Sequence, residues 1–243
     1  VDQHVTVAQA SPDVDTIYRR AHCLGALVQR REFEQIIQGF NEMSIVEIHK
    51  GMATELGQWL EQEGLLACFS EQERGLLAIP LGHWRRELLE LVGWLVETLG
   101  VCVWALSLIK LLPPYDERFS SEELLLRLRI GKPLKIPETL RLRSMKELQT
   151  ALQSAQLWES RMKAVPHHRG AGHTAHGGVS PSTSTPAVKQ ADKGRKNGHQ
   201  PDPVEQEFSA FGRPYRSLTS EQTDLLRAIT ESRAAALRWL CGQ

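Results

Sequence analysis

The stretch from Trp84 to Leu112, WRRELLELVGWLVETLGVCVWALSLIKLL, is apolar over most of its length and carries Glu97 near its centre; Pro113-Pro114-Tyr115-Asp116 follow at once. Its apolar residues fall on all sides of a 3.6-residue period, as expected of a helix surrounded by neighbours. By length alone, Val92 to Leu112 meets the roughly 20 residues a membrane span requires. Glu97, Thr98, Ser107 and Lys110 within it, and Glu87 and Glu90 before it, favour a buried central helix and no membrane span.

An acid in such a helix must be solvated, paired or protonated. At offsets of three, four and seven residues, Glu97 shares its face with Glu90, Gly93, Trp94, Gly100, Val101 and Trp104. Gly93 and Gly100 lack side chains, so either another backbone approaches there or a hollow remains. Two indoles beside the carboxylate would raise its pKa unless a cation intervenes. The expected cation is an arginine from another helix, Arg161 or Arg233, with Arg20 and Arg30 as alternatives. A general acid or base in a pocket is the competing reading.

The rest of the chain reads as further helices. Ser11-Pro12-Asp13 has the composition of a helix start, and Val14, Ile17, Ala21, Leu24 and Val28 continue it to about Phe33. Ile48, Met52, Leu56, Trp59 and Leu60 mark a second helix that ends before Gly64. Ser70 with Glu73 and Ser120 with Glu123 are capping signals for two short helices. Pro137-Glu138 is expected to open the next, with Met145, Leu148, Leu152, Ala155 and Met162 along one face. Thr219 with Gln222 starts the last, which turns Leu225, Leu226, Ile229, Ala236, Leu237 and Leu240 inward and ends before Gly242. Alternating strand patterns are nearly absent. Residues 164–204 are rich in Gly, Ser, Thr, Pro, His and Lys and almost lack large apolar side chains, the composition of a disordered insertion.

Composition narrows the function classes without choosing one. Lys plus Arg and Asp plus Glu number 29 each, so no global field favours nucleic acid or an anionic membrane. The first residues show no secretory signal. Cys23, Cys68, Cys102 and Cys241 are widely spaced in mostly apolar surroundings and read as reduced core thiols of a cytoplasmic protein. His167, His168, His173 and His176 are close in sequence but lie in a Gly-rich run without a scaffold, so no metal is expected there. Lys189, Lys193, Arg195 and Lys196 offer only weak, salt-sensitive attraction to phosphates. Nucleotide-binding loops, hydrolase elbows and zinc-protease motifs are absent, and no cofactor is implied.

Several blocks together resemble a known family. Trp94-x-x-Glu97, Leu99-Gly100-Val101, Trp104-Ala105-Leu106 and Leu112-Pro113-Pro114-Tyr115-Asp116 look like the central block of bacterial domain of unknown function 4272. Phe208 through Thr219 and Arg233 through Gly242 resemble its carboxy-terminal block, and Arg19 to Glu34 its opening helix. The chain departs from the family at Arg238, where Asn is usual, and around Trp158-Glu159-Ser160-Arg161. The resemblance implies a helical fold and the equivalence of Glu97, Trp158, Arg161, Arg233 and Trp239. It implies no reaction.

The resulting expectation is an all-α, single multi-helix bundle around one buried central helix. Residues 1–11 form a disordered start, 12–163 the main helical part, 164–204 the insertion, and 205–243 a docking segment with the last helix. Glu97, Arg161, Arg233, Trp94, Trp158 and Trp239 are expected to form a polar cluster in the core. A protein-interaction or regulatory module is the leading functional expectation, with partner and oligomeric state unspecified. An enzyme or small-ligand binder using a pocket at Glu97 is the alternative, and nucleic-acid association through the basic insertion the weakest.

Overall fold

The computed structural model describes residues 10–164 and 208–243. The insertion, its histidines and lysines, and nearly all of the proposed disordered start therefore lie outside the described residues. What is described is all-α apart from one two-residue hairpin: α1 (Val14–Gly39), α2 (Met43–Gln62), α3 (Glu71–Ala78), α4 (Arg86–Ala105), α5 (Ser121–Leu128), α6 (Met145–Ala164) and α7 (Ser220–Leu240). Helix α4 packs against α1 on one side and α7 on another, and α6 covers α7.

Two apolar clusters result. The larger joins α4, through residues such as Leu99, Val103 and Trp104, to Leu24 of α1, Leu148 of α6 and Leu237 of α7. The smaller lies on the other side of α1, where Leu27 and Phe33 meet Trp59 and Leu60 of α2 and Trp84. Helix α4 is long and apolar enough to cross a membrane, but 61% of its apolar window is buried inside the fold.

Several boundaries differ from the sequence expectation, each for a local reason. Helix α1 is capped by Asp13, whose carboxylate accepts from Thr16 N–H at 2.8 Å, rather than by Ser11, and it continues past Phe33 to Gly39. Helix α4 stops at Ala105 instead of Leu112. Ser107 turns into the left-handed region (φ 59°); its N–H bonds Trp104 O at 2.9 Å and the Leu108 N–H bonds Val103 O at 3.1 Å. This is a Schellman ending with Ser in the place glycine usually takes. Arg143 then satisfies the carbonyls left over, donating to Trp104, Ile109 and Lys110 at 2.9, 3.0 and 2.8 Å while stacking over the Trp104 ring. Helix α6 begins at Met145, not Pro137, because Ser144 and Glu147 cap it reciprocally.

Strands were not expected, yet Ser209–Ala210 pairs with Arg213–Pro214. Phe211 and Gly212 between them have φ of 53° and 68°, as a type I′ hairpin turn requires. On α2 the inward face is Val46, Ala53, Leu56, Trp59 and Leu60, while Ile48 and Met52 are exposed. Met145 is exposed as well, and Leu225 is only half-buried. Of the thiols, Cys23 and Cys102 are core residues, Cys68 is exposed and Cys241 is partly exposed.

His22 is buried between the Tyr18 and Trp59 rings, with Nδ1 at 2.8 Å from Tyr18 O and Nε2 at 3.1 Å from Leu128 O. Burial holds its pKa below the ordinary 6.5, although both carbonyls and Glu63 favour the proton. A neutral folded-state histidine implies stability that is complete above the unfolded pKa and is lost as pH falls from there toward the depressed folded value, with a slope of at most about 1.4 kcal/mol per pH unit. Urea denaturation at pH 7.5 and 5.5 should show a larger loss for the wild type than for His22→Gln.

Candidate functional site

Glu97 is wholly enclosed, and an arginine does reach it. Its Oε2 accepts from Arg233 Nε at 2.9 Å and its Oε1 from the Phe119 backbone N–H at 3.2 Å. Arg233, from the middle of α7, is itself 1% exposed. Its remaining donors go to the segment after α4: Nη1 to Pro113 O and Pro114 O at 2.6 and 3.2 Å, Nη2 to Glu117 O at 2.7 Å. The guanidinium lies between the Tyr115 and Phe119 rings, 5.2 and 4.9 Å from their centroids. Every part of this planar fork is thus matched, the condition under which a buried charge is tolerated.

The two glycines beside Glu97 serve different neighbours. Phe119 occupies the space above Gly100 so closely that a Cβ there would lie 2.3 Å from the ring. Over Gly93, a Cβ would meet the Arg31 guanidinium at 3.1 Å. Arg31 donates to Leu89 O at 2.7 Å, and Arg118 donates to Gly93 O at 2.7 Å. Arg118 also stacks 4.4 Å from the Trp94 ring centroid and stands 3.8 Å from Glu97 Oε1, closing the site toward solvent.

The six residues expected to form one cluster do not: three sit together, two lie at Tyr215 and Trp239 joins neither set. Glu97, Arg233 and the half-buried Trp94 belong to the α4–α7 centre just described. Trp158 is buried elsewhere, in ring contact with Tyr115, Phe208 and Tyr215 at 5.8, 5.0 and 6.5 Å. Arg161 lies 5.8 Å from the Tyr215 ring centroid, not at Glu97. Trp239 is half-buried against the main core. Tyr115 joins the groups, with Arg233 on it and Trp158 beside it; burial pushes its hydroxyl up to about 12 despite Arg233 and a hydrogen bond to Ser154. Asp116 accepts the Phe211 N–H at 2.6 Å, so the Pro-Pro-Tyr-Asp segment also anchors the hairpin. Arg238, at the position where the resembled family has Asn, pairs with Glu159 and ties α7 to α6.

A second enclosed acid was not singled out in the sequence. Glu34 Oε1 accepts from Arg30 Nε and Nη2 at 2.9 and 2.6 Å, and its Oε2 from Gln38 and the Trp84 N–H at 3.2 and 3.3 Å. In sequence, Arg30 and Glu34 look like an ordinary four-residue surface pair; the one available clue was apolar periodicity continuing past Phe33 to Ile37. Arg20 likewise goes to Glu73, by a two-pronged bond of 2.7 Å on each arm. Burial opposes ionisation of Glu73, but that fork and the Ser70 cap hold its pKa below the usual value. Neither Arg20 nor Arg30 serves Glu97.

In this arrangement no substrate atom can touch Glu97. An open groove of about 410 Å³ lies elsewhere, between α1 and α5, where Gln29, Glu32, Leu125, Leu126, Arg129 and Lys132 are among its walls. Among the described residues, no three His, Cys, Asp or Glu side chains are placed to hold a metal ion. No family model, curated protein or solved structure matches the chain.

Removing one partner of a buried pair strands the other, at about 3–5 kcal/mol. Arg233→Met should therefore cost that much in chemical denaturation, with hydrogen exchange rising at residues 113–119. Gly100→Ala leaves every charge in place but displaces Phe119, so it should cost about 1–3 kcal/mol.

Proposed function

We propose that the protein is an interaction module, and that the outer edge of α2 is its docking surface for a basic, amphipathic helical segment of a partner. The observation that carries this reading is an apolar edge left without a neighbour among the described residues: Ile48 and Met52, one turn apart on α2, are 60% and 44% exposed. Phe40 and Met43 are exposed at the same end of the helix.

Two further features support it. Gly51 has open space where a side chain would stand. A glycine inside a helix costs roughly 0.5–1 kcal/mol relative to alanine, and nothing among the described residues uses the gap, whereas a partner helix could approach closely through it. Along α2 and its flanks, Glu42, Glu47, Glu55, Glu61 and Glu63 stand against Lys50 alone, which complements a basic partner.

Membership in the family resembled by the Trp94–Asp116 and Phe208–Gly242 blocks, and a cytoplasmic setting suited to free thiols, form part of the same proposal. The enclosure of Glu97 weighs against the ligand-pocket alternative, because a carboxylate without solvent access and already paired has no room for a ligand.

The test is a titration with an 18-residue Leu/Lys amphipathic peptide, followed by amide NMR shifts. Saturable shifts should centre on residues 44–55, vanish in Ile48→Glu and weaken in Gly51→Ala, which should itself be more stable than the wild type. Shifts confined to the α1–α5 groove, or unchanged in Ile48→Glu, would overturn the proposal.

A further inference from the structure

The α4 surface outside Glu97 holds two guanidinium groups on a single residue. Arg31 of α1 lies over Gly93, where a Cβ would stand 3.1–3.3 Å from its guanidinium atoms, while Arg118 from the segment before α5 donates to the Gly93 carbonyl at 2.7 Å. Each is held from behind. Arg31 uses Nε on Leu89 O at 2.7 Å, and Arg118 is pinned by the Trp94 ring at 4.4 Å. Leu89 and Gly93 are one helical turn apart, about 6 Å along α4, so the two cations are offset along a common strip and not stacked on one point.

Such a pairing of like charges needs an explanation. Among the described residues the only carboxylate within ion-pair distance of Arg118 is Glu97, at 3.8 Å from its Nε, and Glu97 is already spent on the buried Arg233 at 2.9 Å. Arg31 has no ion pair within the described residues, although Glu32 acts on it from a distance. Arg31 and Arg118 therefore lie close enough to repel each other, and among the described residues neither has a carboxylate at hydrogen-bonding distance. Burial lowers the pKa of Arg31 and repulsion from Arg118 lowers it further, with Glu32 opposing both. Arg118 is 42% exposed at its side chain, so the site is open to solvent on that side. With Nε of Arg31 and Nη2 of Arg118 committed to carbonyls, the Nη pair of Arg31 and Nη1 of Arg118 remain to donate.

We propose that Arg31 and Arg118, positioned over Gly93, form a binding site for a small phosphate dianion, inorganic phosphate or a phosphate monoester. Guanidinium forks match the tetrahedral oxygens of that group, and two of them neutralise its charge. The backbone carbonyls and the Trp94 ring pre-orient both side chains, so little rotamer freedom is lost on binding. Gly93 suits the same arrangement, because a Cβ there would crowd the Arg31 guanidinium at 3.1–3.3 Å. The site does not depend on the α2 docking surface.

Isothermal titration with sodium phosphate, against sodium chloride at matched ionic strength, tests the proposal on the intact chain. One saturable site of millimolar or tighter affinity is expected, accompanied by a rise in Tm with phosphate and by amide shifts at residues 89–94 and 118. Arg31→Gln, at a half-exposed position, should fold normally and bind at least tenfold more weakly, and Arg118→Gln should do the same. Glycerol phosphate in place of inorganic phosphate distinguishes a monoester site, if it binds more tightly, from a free-phosphate site. Absence of saturable binding, equal affinity in Arg31→Gln, or an equal effect of chloride would overturn it.

Discussion

Arg233 brings a charged, five-donor group into the centre of an apolar bundle, and the surrounding structure is arranged to satisfy it. One carboxylate is not enough: the guanidinium also needs acceptors for both terminal nitrogens, and those are the carbonyls of Pro113, Pro114 and Glu117. A proline-rich segment is suited to this, since its residues have no N–H to satisfy at Pro113 and Pro114 and its backbone is preset. The helix before it must therefore end early enough for the chain to double back. Arg143 and Ser107 end it at Ala105, about two turns short of where its apolar residues run out.

From that centre the remaining connections follow. Phe119 reaches Glu97 with its N–H and fills the space over Gly100 with its ring. Tyr115 stacks on Arg233 and passes the contact to Trp158 on α6, and Asp116 holds the hairpin turn at Phe211. Segments far apart in sequence, 93–119, 158, 208–215 and 233, are thereby fixed to one another by a single short stretch. Buried ion pairs contribute little net stability compared with apolar packing. Here the pair selects one arrangement of α4, α7 and the intervening segment, because any other leaves a charge or several carbonyls unsatisfied.

The molecule seals Glu97 with Arg233 and Glu34 with Arg30 in its interior and leaves two other features open at the surface. An apolar edge on α2 and a pair of arginines over Gly93 are both cases in which a local choice costs something that the described residues do not recover. Conflicts of that kind are where function is best sought, since a sequence shaped for folding alone would remove them.

How much of this was legible in the sequence varies with how local each signal is. Capping boxes at Ser70 and Thr219, the number and order of most helices, the centrality of α4 and the need for a partner at Glu97 all follow from residues within a few positions of one another. The two glycines followed only as places for an approaching backbone or a hollow, whereas side chains fill both spaces. What approaches them did not follow, because nothing near Gly100 or Gly93 in sequence points to Phe119 or Arg31. The same limit placed Arg161 at Tyr215 instead of Glu97, hid Glu34 behind a surface-like i,i+4 pair, and turned Ile48 and Met52 outward although their spacing suited a core. Periodicity states that a face is apolar; only the packing of α1 against α2 decides which part of it is covered. The sequence by itself determined that this is a helical protein with a charge in its centre. Which arginine answers that charge, where α4 ends and which faces remain open were decided by the tertiary structure, because those contacts join residues up to 136 positions apart and depend on the orientation of whole helices.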